Sequence, residues 1–320
     1  MRAYLIRRLL QSLLLLWGVL TLTFFLMHLS PGNPLDRYIS PRIPPETIAA
    51  IRRQFGFDEP LAVQYYRWLR QWLRADWGYS LTQHRPVAEV LAEAIPATLQ
   101  LTIPVLGVNF ILGVLFGAGA AVYRHRWLGR LLSNSALAIY SMPGFWLGLM
   151  LILLFAIKLG WLPNSSASSL FAGEMDLWAA CKDRLSHLLL PTLTLALPAA
   201  AATARYVREN LINVLESGFI RLAKAKGLSP WQIMARHALP HAWLPLISLL
   251  GLSLPFLFGG AFLTEIIFAW PGMGRLTFDA IFSRDYPVVL AATNLSAIMV
   301  IVGNFIADVL YKFADPRIRQ

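Results

Sequence analysis

Residues 98–122 read TLQLTIPVLGVNFILGVLFGAGAAV, an unbroken run without one charged side chain. At about 1.5 Å of helical rise per residue, such a run is long enough to cross a hydrocarbon layer about 30 Å thick. Outward from it, the sequence offers five more blocks of the same kind, so spans are expected at 10–29, 98–122, 134–159, 188–207, 244–268 and 288–311. Over the 320 residues, 57% are hydrophobic and 14% charged, which excludes a soluble domain of ordinary charge content. The fold class expected is all-α, a polytopic transmembrane helical bundle of six spans forming one domain over 1–320.

The formal charge of +11 is a topology signal rather than a nucleic-acid footprint, because of where the charges lie. Arg2, Arg7 and Arg8 precede the first block, and Arg124, Arg126 and Arg130 follow the second. Arg205, Arg208, Arg221, Lys224, Lys226 and Arg236 separate the fourth from the fifth, and Lys312, Arg317 and Arg319 close the chain. The two short loops opposite carry only Lys158, Lys182, Arg184, Arg275 and Arg284. Basic residues stay on the cytoplasmic side, so both termini are expected there. Segment 30–95 is then extracytoplasmic, with its arginines nearly balanced by acids.

Arg7 and Arg8 before an apolar run imitate a secretory signal, but no small-x-small site follows, only the turn cluster Ser30-Pro31-Gly32-Asn33-Pro34, so an uncleaved first span is expected. Cys181 is the sole cysteine, which rules out an internal disulfide or a multi-cysteine metal site. Within 30–95, helices are expected at 46–55 and 61–75. The second interleaves Tyr65, Tyr66, Trp68 and Trp72 with Arg67, Arg70 and Arg74, a mixture suited to a membrane interface. Glycines and prolines break the spans at Pro143-Gly144, Pro191, Pro198, Pro255 and Gly259-Gly260, and Gly113 and Gly117 permit close helix approach. Ionisable groups in the spans are sparse: Glu265, read as a helix-end or interfacial residue, and Asp308. An ion-coupled carrier would want several near mid-membrane, and an intramembrane hydrolase would want a convergent nucleophile and base. Neither set is found.

The most informative polar stretch is 209–241, ENLINVLESGFIRLAKAKGLSPWQIMARHALPH. It reads as helix, turn, helix. Phe219–Lys226 is rich in helix formers, Gly227 suits a left-handed turn, and Ser229-Pro230 supplies a cap and a first-turn proline for a second helix at 230–238. The loop is either a polybasic lipid contact or a shaped docking knob.

A resemblance carries the reading further. Ala223, Gly227, Leu239 and Pro240 fall in register with the cytoplasmic loop of ATP-binding-cassette (ABC) importer permeases, whose pattern is Glu-Ala-Ala, three residues, Gly, nine residues, Ile, one residue, Leu-Pro. Arg221 stands where that pattern has Glu, and His237 where it has Ile. The form Ala-Lys-Ala-Lys-Gly-Leu with His-Ala-Leu is similar to the dipeptide, oligopeptide and nickel branch. Tyr4-Leu-Ile-Arg-Arg-Leu, Leu29-Ser-Pro-Gly-Asn-Pro, Gln54-Phe-Gly-Phe-Asp-Glu-Pro-Leu, Asp76-Trp-Gly-Tyr-Ser, Arg85-Pro-Val, Ile95-Pro-Ala-Thr-Leu, Leu159-Gly-Trp-Leu-Pro, Phe268-Ala-Trp-Pro-Gly-Met-Gly-Arg, Arg284-Asp-Tyr-Pro-Val and Asp315-Pro-Arg-Ile-Arg match that branch in order along the chain.

The resemblance implies a type I importer permease fold in the bacterial inner membrane and transport of peptides, or of a nickel chelate, glutathione or an antimicrobial peptide. It implies four partners: a second permease, two cytoplasmic ATPases and an extracytoplasmic solute-binding protein. With no Gly-x-x-x-x-Gly-Lys-Ser/Thr loop in the chain, ATP and Mg would sit on the partner ATPases and no cofactor on this chain. The residues expected to seat in an ATPase are Arg221, Ala223, Lys224, Ala225, Lys226, Gly227, Leu228, Ser229, Pro230, His237, Leu239 and Pro240. Segment 30–95 and residues 269–287 would meet the binding protein.

Overall fold

The computed structural model describes residues 2–29, 59–169, 173, 175–240, 246, 249–250, 253 and 261–314. These are helical almost throughout. In chain order they are α1 (Arg2–Leu29), α2 (Leu61–Leu73), α3 (Val87–Val122), α4 (Trp127–Tyr140) and α5 (Gly144–Leu151), which runs on as a π-helix over Ile152–Lys158. Then come α6 (Leu177–Leu215), α7 (Gly218–Ala225), α8 (Pro230–Ile233), with a π-turn over Met234–Ala238, α9 (Phe262–Ile267), α10 (Met273–Ser283) and α11 (Tyr286–Ala314). The only pairing of extended backbone among the described residues is an isolated bridge between Tyr79 and Pro86.

Four stretches are each long and apolar enough to cross a membrane: Ile6–Leu29, Val87–Val122, Leu177–Leu215 and Tyr286–Val309. The span expected at 134–159, with its break at Pro143-Gly144, is α4 followed by α5, bent by 103°. The cause is Pro143, which has no N–H to continue the ladder. Met142 N turns back to the Ile139 carbonyl at 3.2 Å, and the helix restarts with Leu147 N on the Pro143 carbonyl at 3.0 Å. Counting the bent pair as one crossing gives five spans among the described residues. Most of the block expected at 244–268 lies outside them, as do the helix expected at 46–55, His241 and the terminal Asp315-Pro-Arg-Ile-Arg. By contrast α6 runs through Pro191 and Pro198 without a break.

The centre of the bundle is the pairing of α3 with α6. A Cβ on Gly113 would lie 2.5 Å from the Thr203 side chain, and one on Gly117 would lie 2.5 Å from the Ala204 carbonyl oxygen. The expected close approach is therefore real, and only glycine permits it at these two positions. Between the two helices, Thr203 donates from Oγ1 to Asn109 Oδ1 at 2.8 Å, buried on both sides. That bond satisfies two polar groups that lipid could not.

Contacts also sort the two ends of the bundle. Val87 and Leu91, at the start of α3, pack with Val288, Val289 and Ala292 at the start of α11. α1 lies against α11 with opposite polarity. His28 and Tyr286 rings are 6.4 Å apart at one end, and Arg8 pairs with Asp308 at the other. The end of α3 meets the end of α6 through Arg124 and Glu216 at 2.8 Å. So the start of α1 and the ends of α3, α6 and α11 share one face of the bundle, the face rich in arginine and lysine. The end of α1 and the starts of α3 and α11 share the other.

Candidate functional site

At the basic end, α6 gives way to a compact knob built from α7 and α8. Ile220, Ala223 and Ile233 are buried against Val214, Leu215 and Leu228. Burying an isoleucine contributes about 1.5–3 kcal/mol, so this small core fixes the angle between the two helices. Two local motifs close the turn. Leu228 N donates to the Ala223 carbonyl at 3.3 Å and Gly227 N to the Lys224 carbonyl at 3.0 Å, with Gly227 at φ +77°. This is the bond pair of a Schellman motif, which needs a left-handed residue at the glycine position. Next, Gln232 N donates to Ser229 Oγ at 3.3 Å while Ser229 N donates to Gln232 Oε1 at 2.9 Å. These reciprocal bonds make a capping box at the start of α8.

The outer surface of the knob is both apolar and cationic. Leu222 and Trp231 are well exposed, Trp231 at 75%, beside exposed Arg221, Lys224, Lys226 and Arg236. Gly227 is exposed, and a Cβ there would meet nothing within 4 Å. Large exposed apolar side chains ringed by charge are the composition of a docking surface.

At the opposite end, two buried carboxylates tie distant segments together. Glu265, in α9, is fully buried. Its Oε1 accepts from Thr98 Oγ1 at 3.0 Å, and its Oε2 accepts from Gly274 N at 2.6 Å and Arg275 N at 3.1 Å. The carboxylate thus caps the N-terminus of α10 from outside the helix, satisfying free N–H groups at the positive end of the helix dipole. Thr98 Oγ1 in turn accepts from Met273 N at 2.8 Å, and Trp270 Nε1 donates to the Ala97 carbonyl at 2.7 Å. Asp285, also fully buried, accepts at Oδ2 from Ser80 Oγ at 2.5 Å, Thr82 Oγ1 at 2.8 Å and Thr82 N at 3.0 Å. It pins the loop before α3 to the start of α11.

The sequence profile of the family described as "Binding-protein-dependent transport system inner membrane component" matches residues 113–320, and that of its N-terminal companion, "Binding-prot-dependent transport system membrane comp, N-term", matches residues 1–102. The chain belongs to this family. It is a multi-pass inner-membrane protein and a permease subunit of an ABC importer. The permease is 36% identical over 319 residues to the oligopeptide transport system permease protein AppB of Bacillus subtilis, with 99% of each chain covered. It is 37% identical over 316 residues to the glutathione transport system permease protein GsiC of Salmonella paratyphi A, covering 99% of this chain and 98% of that one. Among solved structures, an inward-facing form of the MetNI methionine ABC transporter aligns with TM-score 0.53 at 20% identity, over 71% of the permease and 97% of that chain. This likeness speaks for the fold.

The residues singled out in 221–240 fall into two groups. Arg221, Lys224, Ala225, Lys226, Gly227, Ser229 and Pro240 are exposed, whereas Ala223 is buried inside the knob and Leu228, His237 and Leu239 are half-buried. Leu239 packs against the cluster of Val207, Leu211 and Ala238 that joins the knob to α6. The side chain of Pro230 lies outside the described residues.

Glu265 stands in the first turn of α9, a helix end as expected, but the sequence reading gave no sign of its burial or of its hydrogen bonds to distant segments. The glycines of Trp270-Pro271-Gly272-Met273-Gly274 follow from it. A Cβ on Gly272 would lie 2.6 Å from the carboxylate, so close approach, rather than a left-handed turn, demands the glycine. The signal was present in the sequence only as separate short motifs. The structure brings Ile95-Pro-Ala-Thr-Leu onto Phe268-Ala-Trp-Pro-Gly-Met-Gly-Arg, and Asp76-Trp-Gly-Tyr-Ser onto Arg284-Asp-Tyr-Pro-Val.

Proposed function

We propose that this permease crosses the inner membrane six times with both termini in the cytoplasm. It pairs with a second, related permease to form the pathway of an importer for peptides or similarly handled solutes. The substrate class follows from the relatives AppB and GsiC, which are oligopeptide and glutathione permeases. Two cytoplasmic ATPases supply ATP, Mg and hydrolysis, and an extracytoplasmic binding protein delivers the solute to segment 30–95 and residues 269–287. The whole chain, 1–320, acts as one transmembrane domain.

The observation that carries this reading is the knob. It is stiffened by its own core, a Schellman turn and a capping box, and it projects cations and exposed apolar side chains at the basic end of α6. Residues 209–241 are the coupling element, with Arg221, Lys224, Lys226, Gly227 and Ser229 at the ATPase surface and Ala223, Leu228 and Leu239 holding its shape. Closure of the ATPase pair pushes the knob, α6 transmits the stroke, and the bundle passes between outward and inward packings. No bond to the solute is made or broken on this chain.

Gly227→Arg tests the assignment. A bulky charged residue at φ +77° strains the turn and occupies the open surface above it. The variant is expected to reach the membrane in normal amount, and the assembled importer to hydrolyse ATP without moving solute. Wild-type solute uptake by Gly227→Arg at normal abundance would refute the coupling role.

A further inference from the structure

The bundle carries a cavity that neither the knob nor the carboxylate staples explain. It has a volume of about 410 Å³ and lies at the end opposite the knob, between the end of α1, the helix α2, the Asp76–Tyr79 turn and the start of α11. That volume is in the range of small-molecule sites. Three tryptophans, Trp68, Trp72 and Trp77, line it together with Glu59, Arg67 and Asp76.

The charge of this lining is unbalanced. Arg67 and Glu59 neutralise one another at 2.7 Å. Asp76 has no basic partner among the described residues; its Oδ1 accepts only the Gly78 N–H, at 3.2 Å. One carboxylate is therefore left over, exposed at the rim of a cavity lined by indoles. Two polar atoms of lining residues, Glu59 Oε2 and Trp77 Nε1, are also buried without a hydrogen-bond partner, so the wall has hydrogen-bonding capacity to spare. Indole faces attract cations through the negative potential over the ring, more strongly where water is excluded, and a neighbouring carboxylate adds a full charge.

We infer that this cavity is a binding site for a primary ammonium group, held by Asp76 with the three indoles around it. The Glu59–Arg67 pair offers the guanidinium to an anionic group on the same ligand. Two molecules present that chemistry at an outer membrane surface. One is a short peptide with a free amino terminus, and the other is a phospholipid with an ethanolamine headgroup. Placement on the outer face rests on the topology proposed above, but the binding itself does not.

The test uses the full-length permease, co-produced with its partner subunits and placed in phosphatidylglycerol nanodiscs. Alanyl-alanine and its N-acetyl derivative are titrated by calorimetry. Separately, phosphatidylethanolamine retained through purification from mixed-lipid membranes is measured by mass spectrometry. Asp76→Asn keeps the oxygen that accepts from Gly78 and removes only the charge, and Trp72→Leu keeps apolar bulk and removes an indole face. Binding of the free-amine dipeptide but not the acetylated one, weakened about tenfold or more in both variants, assigns the site to the solute. Ethanolamine lipid retained by wild type and lost from both variants assigns it to the membrane. If wild type holds neither ligand, or if Asp76→Asn holds either as well as wild type does, the site is refuted.

Discussion

At the basic end, the knob is closed by hydrogen bonds that span three to five residues, such as Leu228 to Ala223 and Ser229 to Gln232. At the opposite end, Glu265 reaches Thr98 across 167 positions and Asp285 reaches Ser80 across 205. The two ends also differ in exposure. The knob keeps its charged residues in solvent, whereas the carboxylates of Glu265 and Asp285 are fully buried. An element built from local bonds can form early and move as a unit on the end of α6. An element stitched from distant segments forms only when the bundle does, and it holds those segments to one another. The contrast fits a machine that is pushed at one end and clamped at the other, and single substitutions can break it at either end.

The largest effect is expected at Glu265. Glu265→Ala leaves the N–H groups of Gly274 and Arg275 and the Thr98 hydroxyl without their acceptor in a site that excludes water. Each lost bond to a buried charge is worth about 1.5–3 kcal/mol, so the permease should lose thermal stability in detergent and fall in abundance. Little change in its unfolding temperature would mean that the carboxylate is not the clamp. Gly272→Ala follows, because the new Cβ must displace that carboxylate from 2.6 Å. Overpacking of this kind costs about 1–3 kcal/mol. Combined with Glu265→Ala the cost should shrink, since the atoms it collides with are gone. An additive double variant would show that Gly272 serves the backbone rather than the carboxylate.

How much of this was legible beforehand follows the same division. Gly227, Ser229 and Pro230 could be read directly, because a left-handed turn, a cap and a first-turn proline announce themselves over a few consecutive residues. The run 98–122 was equally plain, as was the break at Pro143-Gly144, though not the 103° bend it produces. That angle depends on where α5 finds partners on α6 and α9, which no local rule supplies. The bonding of Glu265 was hidden for a related reason. Its position in an apolar run near a span end suggested an interfacial acid, and nothing within a few residues named Thr98 as its donor. Asp285 was seen only inside a short motif. Ser80 and Thr82, which donate to it, lay in another, and the link between them is tertiary.

At the knob the expected effects are smaller and act on coupling more than on folding. Gly227→Ala places a Cβ on a left-handed residue, at a cost of about 1–2 kcal/mol, with open space around it in this chain. Asparagine tolerates that conformation better than alanine. Gly227→Asn should therefore support more solute uptake per ATP hydrolysed than Gly227→Ala does. The reverse order would show that room above the residue matters more than backbone conformation.

Ser229→Ala should give the smallest change and the most specific one. It removes the Oγ that accepts from Gln232 N, while Gln232 can still accept from the backbone N–H of residue 229. Half of the capping box survives, and the cost is about 1 kcal/mol. The loss falls on the start of α8, whose Ile233 is buried in the knob's core with Ile220 and Ala223. The expected signature is faster amide hydrogen exchange confined to 229–233, with exchange in α10 and at the start of α11 unchanged. If exchange instead rises at both ends of the bundle, the knob is not an independent unit, and α6 would be a conduit for its stability as well as for its motion.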